Sequence, residues 1–200
     1  MKVPLQILIA ITILSTPLQA ASLCVDAEQS HFKIHVASAG LFSAFGHDHL
    51  IEAREIKGCA EIDVDHPDRS SVSLTFATPA IIVVDPDHAK DRSKVQDTME
   101  TEVLRIKEFP EIHFKSTGIH ARPNTAEFTV DGQLTIRGQT HDVSIPLKLQ
   151  QNGATEATVT GKYTLKLTTF GIKPVQVMGG MVSVKDDIQL EFELHLRQSR

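Results

Sequence analysis

Apolar and polar residues alternate with a period of two along most of this chain. Because successive side chains of a β-strand point to opposite faces, this alternation predicts strands with one buried face and one wet face. It is cleanest over 128–136 and returns over 143–149 after a turn. The other alternating segments are 32–36, 62–65, 72–76, 112–114, 163–167 and 188–196. The pattern therefore predicts about eight strands.

One stretch, residues 91–106, departs from this rhythm. Its apolar residues recur at spacings of four, four and three: Val95, Met99, Val103 and Ile106. This spacing places them on one face of a helix, and Pro110 ends the helical region because the residue before a proline avoids helical dihedral angles. The sequence predicts one helix that packs on the sheet as a lid or plug.

An antiparallel sheet of this size must protect its edges, and closure into a barrel removes them. The predicted fold class is therefore all-β with one helix, a closed antiparallel barrel of about eight strands. Such an interior is either filled by side chains or holds one elongated ligand. With nine phenylalanines, one tyrosine and no tryptophan, a cavity would be apolar and would suit a lipid better than a sugar or nucleotide. Composition alone leaves both a solid core and a cavity open.

The first 20 residues have the features of a secretory signal peptide. Lys2 precedes an apolar run over 3–14, and small residues lead to a cleavage site after Ala20. The run is too short to span a bilayer, and no second long apolar run follows that would anchor the chain. We expect domain 21–200 to be exported, to the periplasm or outside the cell.

Removing these residues would leave 180 residues and change the formal charge from −5 to −6, because Lys2 is the only charged residue lost. That length suits one domain with a substantial core. A mildly acidic balance without a basic stretch argues against a nucleic-acid partner. The sequence leaves open whether the protein is a monomer or a homodimer.

Cys24 and Cys59 are the two cysteines of the chain. In an oxidising compartment a pair of cysteines is more often bridged than free. Because they lie on the first two predicted strands, which should pair with each other, we expect a disulfide between them.

The stretch 42–50 concentrates side chains capable of chemistry. On a strand, His47 and His49 would point to the same face, where two imidazoles can hold one metal ion. The other reading is a polar turn that enters a strand, since no third ligand is evident nearby. A metal site at His47 and His49 is therefore one hypothesis and a polar turn the other.

No catalytic motif is apparent. The chain has no Gly-x-Ser-x-Gly nucleophile elbow and no His-Glu-x-x-His helix. We therefore predict no catalytic residue, no enzyme activity and no cofactor beyond a lipid ligand or a metal ion.

Several motifs, in this order, resemble those of the YceI-like family of exported lipid-binding proteins. They are FKIH at 32–35, GLF at 40–42, FG at 45–46, FPEIHFKS at 109–116, VDGQLTIRG at 130–138 and FGI at 170–172. The resemblance covers most of the chain from Ser30 to Leu196, and the sequence departs from the family pattern at the histidine pair of 46–49. It implies a lipocalin-like barrel whose apolar tunnel accommodates a long polyisoprenoid tail, with no catalytic residue.

Two functions are then compatible with the sequence. The first is an exported protein that holds a polyisoprenoid or another amphiphilic lipid inside the barrel, for transport, storage or stress protection. The alternative is a periplasmic metal-binding protein that uses His47 and His49. For the first function, seven phenylalanines are candidates to line the interior: Phe32, Phe42, Phe45, Phe76, Phe114, Phe128 and Phe192.

Overall fold

The computed structural model describes residues 21–39, 48–63, 66–86, 89–153, 155–177 and 182–198. Their strands are β1 Ala21–Val25, β2 His31–Val36, β3 Ser38–Ala39, β4 His49–Ala53, β5 Ile56–Ile62, β6 Ser71–Ala77, β7 Ile81–Val83, β8 Glu111–Ala121, β9 Glu127–Ile136, β10 Gln139–Gln151, β11 Glu156–Lys166, β12 Gln176–Val177, β13 Val182–Val184 and β14 Asp187–Gln198. The α-helix is α1 Arg92–Thr98, and Met99–Val103 continues it as a π-helical turn. Three 3-10 turns lie at Pro67–Arg69, Thr78–Ala80 and Leu167–Phe170.

The large sheet closes on itself at β14. This strand pairs with β11 on one side and with β1 and β2 on the other. The closed ring runs β1, β5, β6, β8, β9, β10, β11 and β14, and every neighbouring pair is antiparallel. The predicted fold class is confirmed as a closed eight-stranded antiparallel barrel with one α-helix.

Three of the eight wall strands are each divided into two pieces, namely β1 with β2, β5 with β4, and β6 with β7. The pieces β2, β4 and β7 pair in that order and extend the wall beyond β1, β5 and β6. The divisions fall at 26–30, 54–55 and 78–80. Separately, β3 and β12 flank β13 in a small second sheet.

Cys24 and Cys59 lie directly opposite each other on β1 and β5. Their sulfur atoms form a disulfide. The bond joins the first two wall strands close to the end of the barrel that carries the β5–β6 turn.

The helix is present but shorter than the sequence pattern predicts. Met99 and Leu104 are buried, as an inward helical face requires, yet helical structure ends at Val103. Arg105 has a φ of 53°, which turns the chain out of the helix, so Ile106 lies beyond it. Among the described residues, no helix is long and apolar enough to cross a membrane.

Gln96 attaches α1 to β7, which is an edge strand in the described part of the sheet. Its Oε1 accepts a hydrogen bond from the Val83 N–H at 2.8 Å, and its Nε2 donates to the Ile81 carbonyl at 3.0 Å. Gln96→Ala leaves the partly buried Val83 N–H and Ile81 carbonyl without these hydrogen-bond partners. We expect it to lower the free energy of unfolding by about 1–3 kcal/mol, measured by urea denaturation.

Lys94→Ala is the matched control, since Lys94 lies on the exposed side of the same helix. It should change the free energy of unfolding by less than about 0.5 kcal/mol. Equal effects of the two substitutions would contradict the role assigned to Gln96.

Candidate functional site

The barrel encloses a cavity of about 340 Å³. Its walls are almost entirely aliphatic and aromatic. They come from β2 and from every strand of the ring except β1, at the inward positions of the period-two pattern. The volume corresponds to roughly eleven water-sized groups at about 30 Å³ each. The interior is therefore not completely filled by side chains.

Five of the seven candidate phenylalanines lie on the cavity wall. They are Phe32, Phe76, Phe114, Phe128 and Phe192. Phe42 and Phe45 lie outside the described residues. The period-two pattern thus placed all five described candidates on the inner face, whereas their contact with a ligand stays a prediction.

Three of these rings form an aromatic group on one side of the cavity. The Phe32 ring meets the Phe76 ring edge to face, with centroids 5.0 Å apart, and it stacks on the Phe192 ring at 5.8 Å. Phe32 and Phe192 are opposite each other on β2 and β14. Their rings offer a rigid apolar surface to whatever occupies the cavity.

Two glycines make room for these rings. A Cβ at Gly161 would lie 2.4 Å from the Phe192 ring, and one at Gly132 would lie 2.6 Å from the Phe114 ring. The Phe192 ring therefore occupies the space that a side chain at Gly161 would take, and the Phe114 ring does the same at Gly132. A side chain at either glycine would displace the phenylalanine ring from its present position.

One end of the barrel, here called the floor, carries the turn Leu167–Phe170 directly after β11 and is filled by packed apolar side chains. Phe170 and Ile172 are each only 2% exposed, and the Phe170 ring meets the His141 ring edge to face at 5.1 Å. Asp186 holds the turn by accepting hydrogen bonds from the Thr168 N–H at 2.8 Å and hydroxyl at 2.7 Å. The Thr168 hydroxyl lowers the pKa of the Asp186 carboxyl.

The opposite end is the mouth, formed by the β5–β6, β8–β9 and β10–β11 turns. The polar residues that line it are Asp63, Ser70, Ser71, Thr125 and Gln151. The Asp63 carboxylate accepts a hydrogen bond from the His66 N–H at 2.9 Å. No lysine, arginine or histidine is among the described residues that line the cavity.

Tyr163 is a polar residue deeper inside. It lies opposite Leu190 on the cavity wall, and burial raises the pKa of its phenol. The hydroxyl has no hydrogen-bond partner within the described part of the chain. The sequence analysis did not single it out as a site residue, although its spacing from Leu165 and Leu167 placed it on the inward face.

The histidine pair is described only in part. His47 lies outside the described residues, and β4 begins at His49. The Nδ1 atom of His49 donates to Oδ2 of the buried Asp85 at 2.7 Å, and Asp85 Oδ1 accepts the Leu50 N–H at 2.6 Å. Among the described residues no three histidine, cysteine or acidic side chains come together as metal ligands. A metal site at His47 and His49 stays a prediction.

A closed eight-stranded antiparallel barrel around an apolar cavity defines a lipocalin-like class of fold. Within that class, residues 23–196 match the YceI-like domain. The chain therefore belongs to the YceI-like family, as the sequence motifs predicted.

Comparison with individual proteins gives the same fold. The chain is 27% identical over 139 residues to Protein YceI of Salmonella newport (strain SL254), an alignment that covers 67% of this chain and 64% of that protein. It thus spans slightly less than two thirds of that relative. BcnA of Burkholderia cenocepacia superposes with a TM-score of 0.70 at 19% identity, over 86% of this chain and 98% of BcnA.

A third comparison is with a polyisoprenoid binding domain from Saccharophagus degradans implicated in plant cell wall breakdown. It superposes with a TM-score of 0.67 at 11% identity, over 90% of this chain and 100% of that domain. At these identities the two solved structures establish a shared fold.

Proposed function

We propose that this protein is an exported carrier that holds a long apolar ligand, a polyisoprenoid or a similar lipid, inside its barrel. The observation that carries the proposal is the cavity inside the barrel, whose wall below the polar mouth is apolar apart from Tyr163. The description of the Saccharophagus degradans relative as a polyisoprenoid binding domain supports this choice of ligand. Transport, storage and protection under stress are the roles that such a carrier serves.

Burial of hydrocarbon supplies the driving force. About ten buried methylene groups contribute roughly 8 kcal/mol before the costs of association and ordering are subtracted. That gain needs no special side chain. Because the cavity has room for about a dozen carbon-sized groups, a longer chain would extend through the mouth or would require the wall to widen.

We propose binding rather than catalysis. Among the described residues that line the cavity, the ionisable groups are the Asp63 carboxyl at the mouth and the Tyr163 phenol deep inside. They lie at opposite ends and so do not form a nucleophile and base within hydrogen-bond reach of each other.

Export is proposed from the signal peptide of residues 1–20 and is supported by the disulfide, which persists in oxidising compartments. Cleavage after Ala20 would make Ala21 the first residue. Ala21 begins β1 opposite Ile62, at the mouth end of the barrel.

A direct test uses the single tyrosine of a chain that has no tryptophan. Tyrosine fluorescence of the delipidated protein then comes from Tyr163 alone, inside the cavity. We expect geranylgeraniol and farnesol to change that fluorescence saturably and geraniol to bind more weakly, because only geraniol is too short to fill the cavity with hydrocarbon. No saturable change with any of the three alcohols would contradict the proposal.

A further inference from the structure

Tyr163 is a polar group in an otherwise apolar part of the barrel. Strand β11 runs from the mouth at Glu156 to the floor at Lys166. Tyr163 comes seven residues after the start, so it lies roughly 20 Å along the strand from the mouth. Around it the cavity wall is formed by Leu134, Ile145 and Leu190.

The hydroxyl at this depth has no hydrogen-bond partner among the described residues, although each of the fully buried side-chain polar atoms described has one. The hydroxyl therefore keeps accessible surface on the cavity, and an atom of a bound ligand can form a hydrogen bond with it there. A phenylalanine at this position would offer the ligand no hydrogen-bonding atom. The hydroxyl therefore points to a ligand that carries a hydrogen-bonding atom at its inner end.

The charged groups around the cavity limit which hydrogen-bonding group the ligand can carry at its inner end. No cationic side chain is present among its described lining residues, and the carboxylate of Asp63 lies at the mouth. An anionic group would have to enter an apolar interior without a counter-charge, which is strongly unfavourable.

We infer that the ligand is an uncharged lipid with an alcohol, carbonyl or amide group, that this group enters the barrel first, and that the Tyr163 hydroxyl recognises it by a hydrogen bond. The inference rests on the proposed carrier function and specifies its ligand. The hydrocarbon tail then extends towards the mouth. Phosphorylated lipids of the same chain length are excluded by charge.

The test compares three ligands of one chain length: geranylgeraniol, geranylgeranyl phosphate and the hydrocarbon without the oxygen. Their affinities are measured by displacement of an environment-sensitive apolar dye from the delipidated full chain. For the native protein we expect the alcohol to bind about 3–10-fold more tightly than the hydrocarbon, the value of one hydrogen bond. We expect the phosphate to bind at least about 10-fold more weakly than the alcohol.

Tyr163→Phe removes only the hydroxyl. It should weaken binding of the alcohol about 3–10-fold and leave binding of the hydrocarbon unchanged. Ser144→Ala is the matched control, because it deletes an exposed hydroxyl on the outer face of β10, and it should change neither affinity. In the native protein, the near-ultraviolet absorption of Tyr163 should shift with the alcohol and not with the hydrocarbon.

The possible outcomes distinguish failure of the role assigned to Tyr163 from failure of the proposed carrier function. Failure of all three ligands to displace the dye from the native protein would overturn the carrier function itself. Equal affinity of the native and Tyr163→Phe proteins for the alcohol would overturn the inference while the carrier function stands. Preference for the phosphate over the alcohol would overturn the assignment of an uncharged ligand.

Discussion

Phe192→Glu is expected to lower the affinity of the barrel for a long apolar ligand by at least about 100-fold. The native ring lies over Gly161 and stacks on Phe32 in the cavity wall. A carboxylate in its place is costly to desolvate, and it attracts water into the space that the hydrocarbon would occupy. Dye displacement by geranylgeraniol measures the change.

Glu193→Gln is the matched control, because the neighbouring residue on β14 points out of the barrel and is exposed. It should retain native affinity. Circular dichroism establishes that both variants keep the β-fold, and Phe128→Glu on β9 provides a second inward position should Phe192→Glu unfold. Affinities within about threefold of the native value in folded inward variants would show that the ligand does not lie in this cavity.

Removal of the disulfide should have the largest effect on stability. The bond between Cys24 and Cys59 closes a loop with a sequence separation of 35 residues. Its loss restores conformational freedom to the unfolded chain, so we expect Cys24→Ala/Cys59→Ala to lower the free energy of unfolding by about 3–4 kcal/mol. Urea denaturation measures this loss.

The native protein with reductant is the internal control for that variant. Reductant should lower the native stability towards that of the double variant and should leave the double variant unchanged. A loss of less than about 1 kcal/mol would show that the unfolded chain is already constrained near the bond.

The period-two pattern was sufficient to predict the closed barrel, because inward residues alternate along every wall strand. It did not predict where wall strands are divided. The interruption at 26–30 arises where Asp26 is buried and pairs with Arg197 at 3.2 Å. Arg197 is on the neighbouring strand β14, far away in the sequence, so no local pattern reveals this contact. The end of the helix was also missed, since Arg105 adopts a left-handed conformation without a glycine to signal it.

The cavity was harder to predict than its walls. Alternation placed the five described phenylalanines inward, but the choice between a solid core and an open one depends on how rings pack across strands. Gly132 and Gly161, for example, leave space on neighbouring strands for the rings of Phe114 and Phe192, and alternation alone does not reveal this packing. The sequence did not indicate Tyr163 as a site residue, because only the folded structure shows that its hydroxyl has no hydrogen-bond partner among the described residues.

The most direct test of the central claim is native mass spectrometry of the protein purified from its own host. We predict a complex whose extra mass is an organic molecule that solvent extraction releases, with geranylgeraniol able to rebind afterwards. The protein mass alone before extraction would contradict the account. So would a stoichiometric zinc or copper ion without organic mass, lost in His47→Ala/His49→Ala, which would establish the metal-binding alternative instead.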